Sequence, residues 1–195
     1  VEQRIPALGA VRAIAASARV RHSRAMTDRQ LVEAQRRSSA RFAFDTAYAV
    51  DVQIKRLRTI DMHDAFVSAQ READAQFLVV ALWRLRMAAQ MCATLSGGDE
   101  RIIAALATYD EALPRLKNLR DVLMHYDNYA LANEFRRNTH PTTGKLINRK
   151  DVESLFTSPD GVAWLGTSYS LDDLEQHSRA LYASVTEVLV HSGLG

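Results

Sequence analysis

The chain has 195 residues and a mass of 21.8 kDa, with 47% hydrophobic and 25% charged residues. That length and composition suit one compact domain with appendages and lie far from the signature of a disordered chain. The longest apolar run, Phe77 to Trp83, is cut off by Arg84 and Arg86, short of the roughly 20 residues a membrane span needs, so no membrane role is expected. The single cysteine, Cys92, excludes a disulfide framework or a multi-cysteine metal cage within one chain and fits a reducing, cytoplasmic setting.

The formal net charge of +2 conceals an asymmetry. Residues 1–25 carry Arg4, Arg12, Arg19, Arg21 and Arg24 against Glu2 alone, so the rest of the chain is slightly acidic and its net charge is no argument for nucleic acid. This segment, rich in alanine, arginine and serine, has the composition of transit peptides, basic arms and translated upstream sequence, and it lacks the apolar core of a secretory signal. Residues 1–25 are therefore read as a basic N-terminal segment, disordered or not native. Met26 followed by Thr27 and Asp28, a good helix N-cap, then opens a single domain over 26–195.

From Asp28 to about Arg58 there is neither glycine nor proline, and Leu31, Ala34, Ala40, Phe44, Ala47, Val50, Ile54 and Leu57 recur at helical spacing. A second helix is expected from about His63 to Leu95, with Phe66, Ala69, Ala73, Phe77, Val80, Leu85, Ala88, Met91 and Leu95 inward and Gly97-Gly98 as its stop. The two should pair antiparallel. Asp99 caps a third helix to Leu113, and Pro114 opens a fourth, to about Phe135, with Leu116, Leu119, Leu123, Tyr126 and Ala130 as its core stripe. Short strands are expected at 145–148, 152–157 and 162–168, the last two separated by the turn Pro159-Asp160-Gly161. Ser170 and Asp173 form a capping box for a last helix through Leu174, Leu181, Val185 and Leu189 to Gly193. The fold class is mainly α: an up-and-down bundle of four to five helices with a small antiparallel β-hairpin or three-stranded insertion, about 145–168, before the last helix.

The chain has no GxGxxG, no phosphate loop with lysine, no GxSxG and no HExxH, and none of its six histidines pairs with another at i+3 or i+4. No metal or cofactor site is expected; Asp61, His63 and Asp64 read as capping and solvated residues. The informative stretch is Leu116 to Asp127. Opposite its core stripe run Asn118, Asp121, His125 and Asn128, and the i, i+4 pair Asp121–His125 is placed for a hydrogen bond that orients the imidazole for proton transfer. Arg120 approaches from the side on its long stem. A cation beside a histidine suits a phosphodiester, although the same residues also suit an exposed polar helix face. Arg36-Arg37-Arg41, Lys55-Arg56-Arg58 and Arg136-Arg137 would track an RNA backbone if they lined a cleft and are otherwise solvated; Trp83 and Trp164 read as core residues.

Arg120 and His125, followed by Tyr126 and Asp127, resemble the R-x4-H motif of the HEPN (higher eukaryotes and prokaryotes nucleotide-binding) family of helical bundles. The resemblance covers about residues 28–135 and the last helix. It implies a homodimer in which two such helices face one cleft, and a metal-independent endoribonuclease without cofactor, acting as a toxin or as a stress or defence factor with an antitoxin protein as a further partner. Carried over, His125 transfers the proton, Arg120 anchors the phosphate, Asp121 orients His125, and Asn118, Asn128 and Tyr126 support the RNA. Family toxins with a nucleotidyltransferase partner often read R-x4-H-x-Tyr; here that position is Asp127, so tyrosine modification is not expected. The alternative is a non-catalytic HEPN-like or generic bundle that binds a nucleotide or a protein partner.

Overall fold

The computed structural model describes the backbone at residues 8–59, 65–126, 129, 139–140 and 143–191, with most side chains from Gln30 onward. The fold is mainly helical: α1 (Leu8–Thr59), α2 (Ala65–Leu95), α3 (Glu100–Ala112), α4 (Leu116–Met124), a one-turn α5 (Arg149–Val152), strands β1 (Phe156–Ser158), β2 (Gly161–Trp164) and β3 (Thr167–Ser170), and α6 (Leu171–His191). The expected bundle with a three-stranded antiparallel sheet before the last helix is present, the strands in the order β1-β2-β3. The chain divides into two compact units, 1–38 and 39–195. In the first, α1 is already under way at Leu8, so Thr27 and Asp28 stand inside a helix rather than capping its start, and no break falls at Met26. Alanine- and arginine-rich sequence propagates a helix with no need of a cap there.

In the second unit, α1 buries Ser39, Ala43, Thr46, Val50, Ile54 and Leu57, one continuous helical face. Phe44, expected inward, is 54% exposed. α2 buries a broader face, including Ala75, Leu78, Leu82, Leu85, Ala89 and Cys92, because it packs against α3, α4, α6 and β1. The expected core residues Phe77 and Met91 lie outside it. Over Ala69–Leu95 the helix is long and apolar enough to cross a membrane by length and composition alone; half of its apolar window is buried within the bundle, as suits a core helix. α1 and α2 run antiparallel, as expected: Arg84 lies over Phe42, and Arg56 pairs with Asp74 toward the other end. α6 returns along α1, with Arg58 on Asp172 and Glu175, and Arg179 on Asp51.

Local signals set the ends. Gly97, at φ +74°, closes α2: its N–H reaches the Thr94 carbonyl, and that of Gly98 reaches Ala93, a glycine-terminated helix end. Asp99 caps α3 by accepting from the Arg101 N–H at 3.0 Å, and Ser170 caps α6 by accepting from the Asp173 N–H at 3.0 Å. The fourth helix is shorter than expected, Leu116–Met124, because Arg115 takes a left-handed conformation (φ +70°) after Pro114 and His125 leaves helical geometry. Its buried stripe is Leu116, Leu119 and Val122; Tyr126 is 43% exposed, and Ala130 lies outside the described residues.

The sheet also differs from expectation in detail. Arg149–Val152 is a helical turn closed by a capping box between Asn148 and Asp151, so the second strand begins at Phe156. Leu146 forms only an isolated bridge with Thr139. The third expected strand splits at Leu165-Gly166, both at positive φ, a two-residue hairpin turn between Trp164 and Thr167. A Cβ on Gly161 would stand 2.7 Å from the Tyr169 carbonyl oxygen, so the close approach of β2 to β3 requires glycine. Trp164 is a core residue, as expected, donating from Nε1–H to the Val152 carbonyl at 3.0 Å. The Tyr169 hydroxyl donates to the Pro114 carbonyl, tying the sheet to the start of α4.

Candidate active site

Burial of Leu116, Leu119 and Val122 against the core turns Arg120 and Asp121 to the flank of α4. Both side chains are about a quarter exposed, and they pair with each other, Arg120 Nη1 to Asp121 Oδ1, at 3.0 Å. The Asp121–His125 hydrogen bond suggested by their spacing is absent among the described residues. The reason is local: α4 ends at Met124, and His125 is its C-cap, with φ −124°, ψ +31° and its N–H on the Val122 carbonyl at 3.3 Å. The i, i+4 geometry that requires a continuous helix is thereby lost. His125 is partly exposed, Asn118 and Tyr126 are exposed, and Asn128 and Asp127 lie outside the described residues.

The residue that meets Arg120 comes from α2. The guanidinium carbon lies 4.8 Å from the centre of the Trp83 ring, within cation–π range. Trp83, expected in the core, is only partly buried, and a second guanidinium, that of Arg86, lies 5.3 Å from the same ring. Arg86 is held in turn by Asp110 of α3 through both carboxylate oxygens, at 2.6 and 2.5 Å, and this hydrogen bonding raises the Arg86 pKa further above its ordinary value. Arg120 Nε is sealed from solvent and has no hydrogen-bond partner among the described residues, so the exposed part of the side chain lies elsewhere on it. Neither Trp83 nor the Arg86–Asp110 pair was identified from the sequence; the i, i+3 spacing of Trp83 and Arg86 is the one signal available there.

Four of the basic residues considered as an RNA track are engaged within the chain. Arg41 pairs with Asp45, Lys55 with Asp51 at 2.6 Å, Arg56 with Asp74, and Arg58 with Asp172 and Glu175. Arg136 and Arg137 lie outside the described residues, as do Asp61, His63 and Asp64. Among the described residues no group of three His, Cys, Asp or Glu is placed to hold a metal ion. Cys92 is buried in α2, and desolvation pushes its thiol up to about 11, far from a nucleophile's range.

The arrangement offers a cation fixed against an aromatic face, a carboxylate beside it, and a partly exposed histidine at the end of the same short helix. Such a set can bind an oxyanion and exchange a proton with it. Compared with known protein families, with curated proteins and with solved structures, the chain matches none.

Proposed function

We propose that this protein is a HEPN-like, metal-independent endoribonuclease of the cytoplasm that works as a homodimer, in the manner of a toxin or a stress or defence factor under the control of an antitoxin protein. The observation that carries the reading is the fixation of the Arg120 guanidinium by Trp83 and Asp121, on the helix that ends at the partly exposed His125. In this mechanism the RNA 2′-hydroxyl attacks the adjacent phosphorus while His125 exchanges the proton. The bond to the 5′-oxygen breaks, leaving a 2′,3′-cyclic phosphate and a 5′-hydroxyl, and Arg120 balances the charge of the phosphorane between these steps. Asp121 acts by steadying Arg120 rather than His125. A second copy brings its own Arg120 and His125 to the same cleft, with Asn118, Tyr126 and Asn128 beside the RNA.

The competing reading, a non-catalytic bundle that binds a nucleotide or protein partner, has its own support. A cavity of about 300 Å³ lies between α1 and α6, lined by Phe44, Tyr48, Ile54 and Tyr182 among others. Small-ligand sites begin at about that size and are mostly apolar. The two readings separate on one experiment: incubation of the partner-free protein with a mixed RNA pool in EDTA, with Arg120→Ala and His125→Ala in parallel and the product ends analysed. Cyclic-phosphate ends, lost in both variants, support the ribonuclease; no cleavage by folded wild-type protein moves the function to binding.

A further inference from the structure

Beyond the two motif residues, the described residues hold several features whose roles are open: the α1–α6 cavity, the buried Arg71 and the indole of Trp83, which two guanidinium groups approach. The third is supported by the most independent observations. Trp83 is not adjacent to Arg120 in sequence, yet its ring lies 4.8 Å from the Arg120 guanidinium. A second guanidinium, that of Arg86, lies 5.3 Å from the same ring and is clamped by Asp110 through two oxygens. Arg120 Nε makes no hydrogen bond among the described residues and is shielded from water, so inward-facing hydrogen bonds from them do not fix the guanidinium at that nitrogen. Among the described residues, the contacts that orient the group are the aromatic face and the single oxygen of Asp121. A flexible arginine with no such face spreads over many rotamers, and ordering it on binding an oxyanion would lose affinity.

We propose that Trp83 is the positioning residue of this site: the juxtaposition of its ring with Arg120, braced by Arg86 and Asp110, pre-orders the guanidinium to receive a phosphate oxygen. The role in catalysis rests on the ribonuclease reading; the ordering of Arg120 does not. The indole acts through Arg120 and touches no substrate. Its electron-rich face attracts the delocalised cation without taking up any of its N–H donors, whereas a second carboxylate in that place would compete with phosphate for them.

The test uses the full chain with 15N-labelled arginine. The Nε–Hε signal of Arg120, assigned by its loss in Arg120→Lys, is expected to carry a ring-current shift and to move on titration with inorganic phosphate. Trp83→Leu should abolish the ring-current shift and raise the half-saturating phosphate concentration roughly 3- to 30-fold, the range of one cation–π contact, while Trp83→Phe recovers most of the loss. If the protein cleaves RNA, kcat should follow the same order, with KM changing less. Mono- and difluorotryptophan, which weaken the face at nearly constant shape, give the same graded result should Trp83→Leu fail to fold. Unchanged phosphate affinity and kcat across these variants, or an Arg120 signal that ignores both the ring and phosphate, would overturn the proposal. Absence of RNA cleavage alongside a Trp83-dependent phosphate response would remove the ribonuclease reading and leave the positioning role standing.

Discussion

Arg86 and Asp110 form a two-oxygen ion pair, 2.6 and 2.5 Å long, that fastens the middle of α2 to α3 directly beside the Trp83 ring. The pair joins two helices whose main bond to each other is otherwise apolar, apart from the buried Tyr109 hydroxyl donating to the Leu82 carbonyl at 3.0 Å. It also places a fixed positive charge next to the surface on which Arg120 rests, so the electrostatics of the candidate site are set partly by α3.

Asp110→Asn should therefore be felt at a distance. Asp110 is 43% exposed, so solvent screening holds the stability loss to about 0.5–1 kcal/mol in urea denaturation. The more telling effect is on Trp83: freeing Arg86 should alter tryptophan fluorescence, whereas the same substitution at the exposed Glu111 should leave the spectrum unchanged. Equal spectra for the two variants would mean that Asp110 does not brace the ring.

The two motif residues should behave differently. His125 caps a helix through its backbone and keeps its ring partly in solvent, so His125→Ala should abolish RNA cleavage with a stability change within about 0.5 kcal/mol. Arg120 covers an aromatic face, so Arg120→Ala should abolish cleavage and also cost about 1–2 kcal/mol, from the lost cation–π contact and the lost packing of its stem. A large loss of stability in His125→Ala would indicate a structural histidine.

Arg71 is 1% exposed; its Nε–H reaches Thr157 Oγ1 at 3.3 Å, and its other two nitrogens have no partner among the described residues. The neighbouring buried carboxylate, Asp74, is already held by Arg56. A desolvated cation with unmet donors opposes folding, so Arg71→Met should raise stability by about 1–2 kcal/mol. Asp74→Ala, which deletes the buried carboxylate that holds Arg56, should lower it by about 2–4 kcal/mol, tempered by the half-exposure of Arg56. Urea midpoints moving in the reverse directions would refute this balance of charges.

Burial raises the Cys92 pKa from 9.0 to about 11, and that of Tyr169 to about 12. An acid held protonated in the fold stabilises it fully below the unfolded pKa, and the contribution is lost as pH rises through the folded value. Stability should thus fall between about pH 9 and 12, with Cys92 accounting for about 2–3 kcal/mol of the decline up to about pH 11. Cys92→Ala should remove that part of the alkaline slope while creating a small cavity cost that is independent of pH. A thiol reagent at pH 8 should react with the native protein far more slowly than with the urea-unfolded chain; equal rates would place Cys92 at the surface.

What the sequence determined by itself was local. Gly97-Gly98, Asp99, Pro159-Asp160 and Ser170 with Asp173 each act within a few residues, so the stop of α2, the start of α3, the β1–β2 turn and the start of α6 were readable without knowing what surrounds them. The same holds for the class of fold, since helical periodicity needs no tertiary context, although it predicted a fourth helix running on to about Phe135, past the end of α4 at Met124. The phase of the long helices was not readable in this way. α2 is apolar on more than one face, and only its packing against three other helices and a strand decides that Leu78 and Leu82 go in while Phe77 and Met91 stay out. Pro114 made the break between α3 and α4 readable, but the left-handed Arg115 that delays the start of α4 to Leu116 is a conformation that no residue-type rule assigns to arginine.

At the candidate site the division is the same. The i, i+5 relation of Arg120 and His125 is written in the chain, but an Asp121–His125 hydrogen bond presupposes a helix that in fact ends at Met124. Arg120's partner is an indole on another helix, reached only after α2 and α4 have packed. Sequence fixes which groups exist and their order along an element; the meeting of groups from different elements is decided by how buried faces fit together, a property of the whole core.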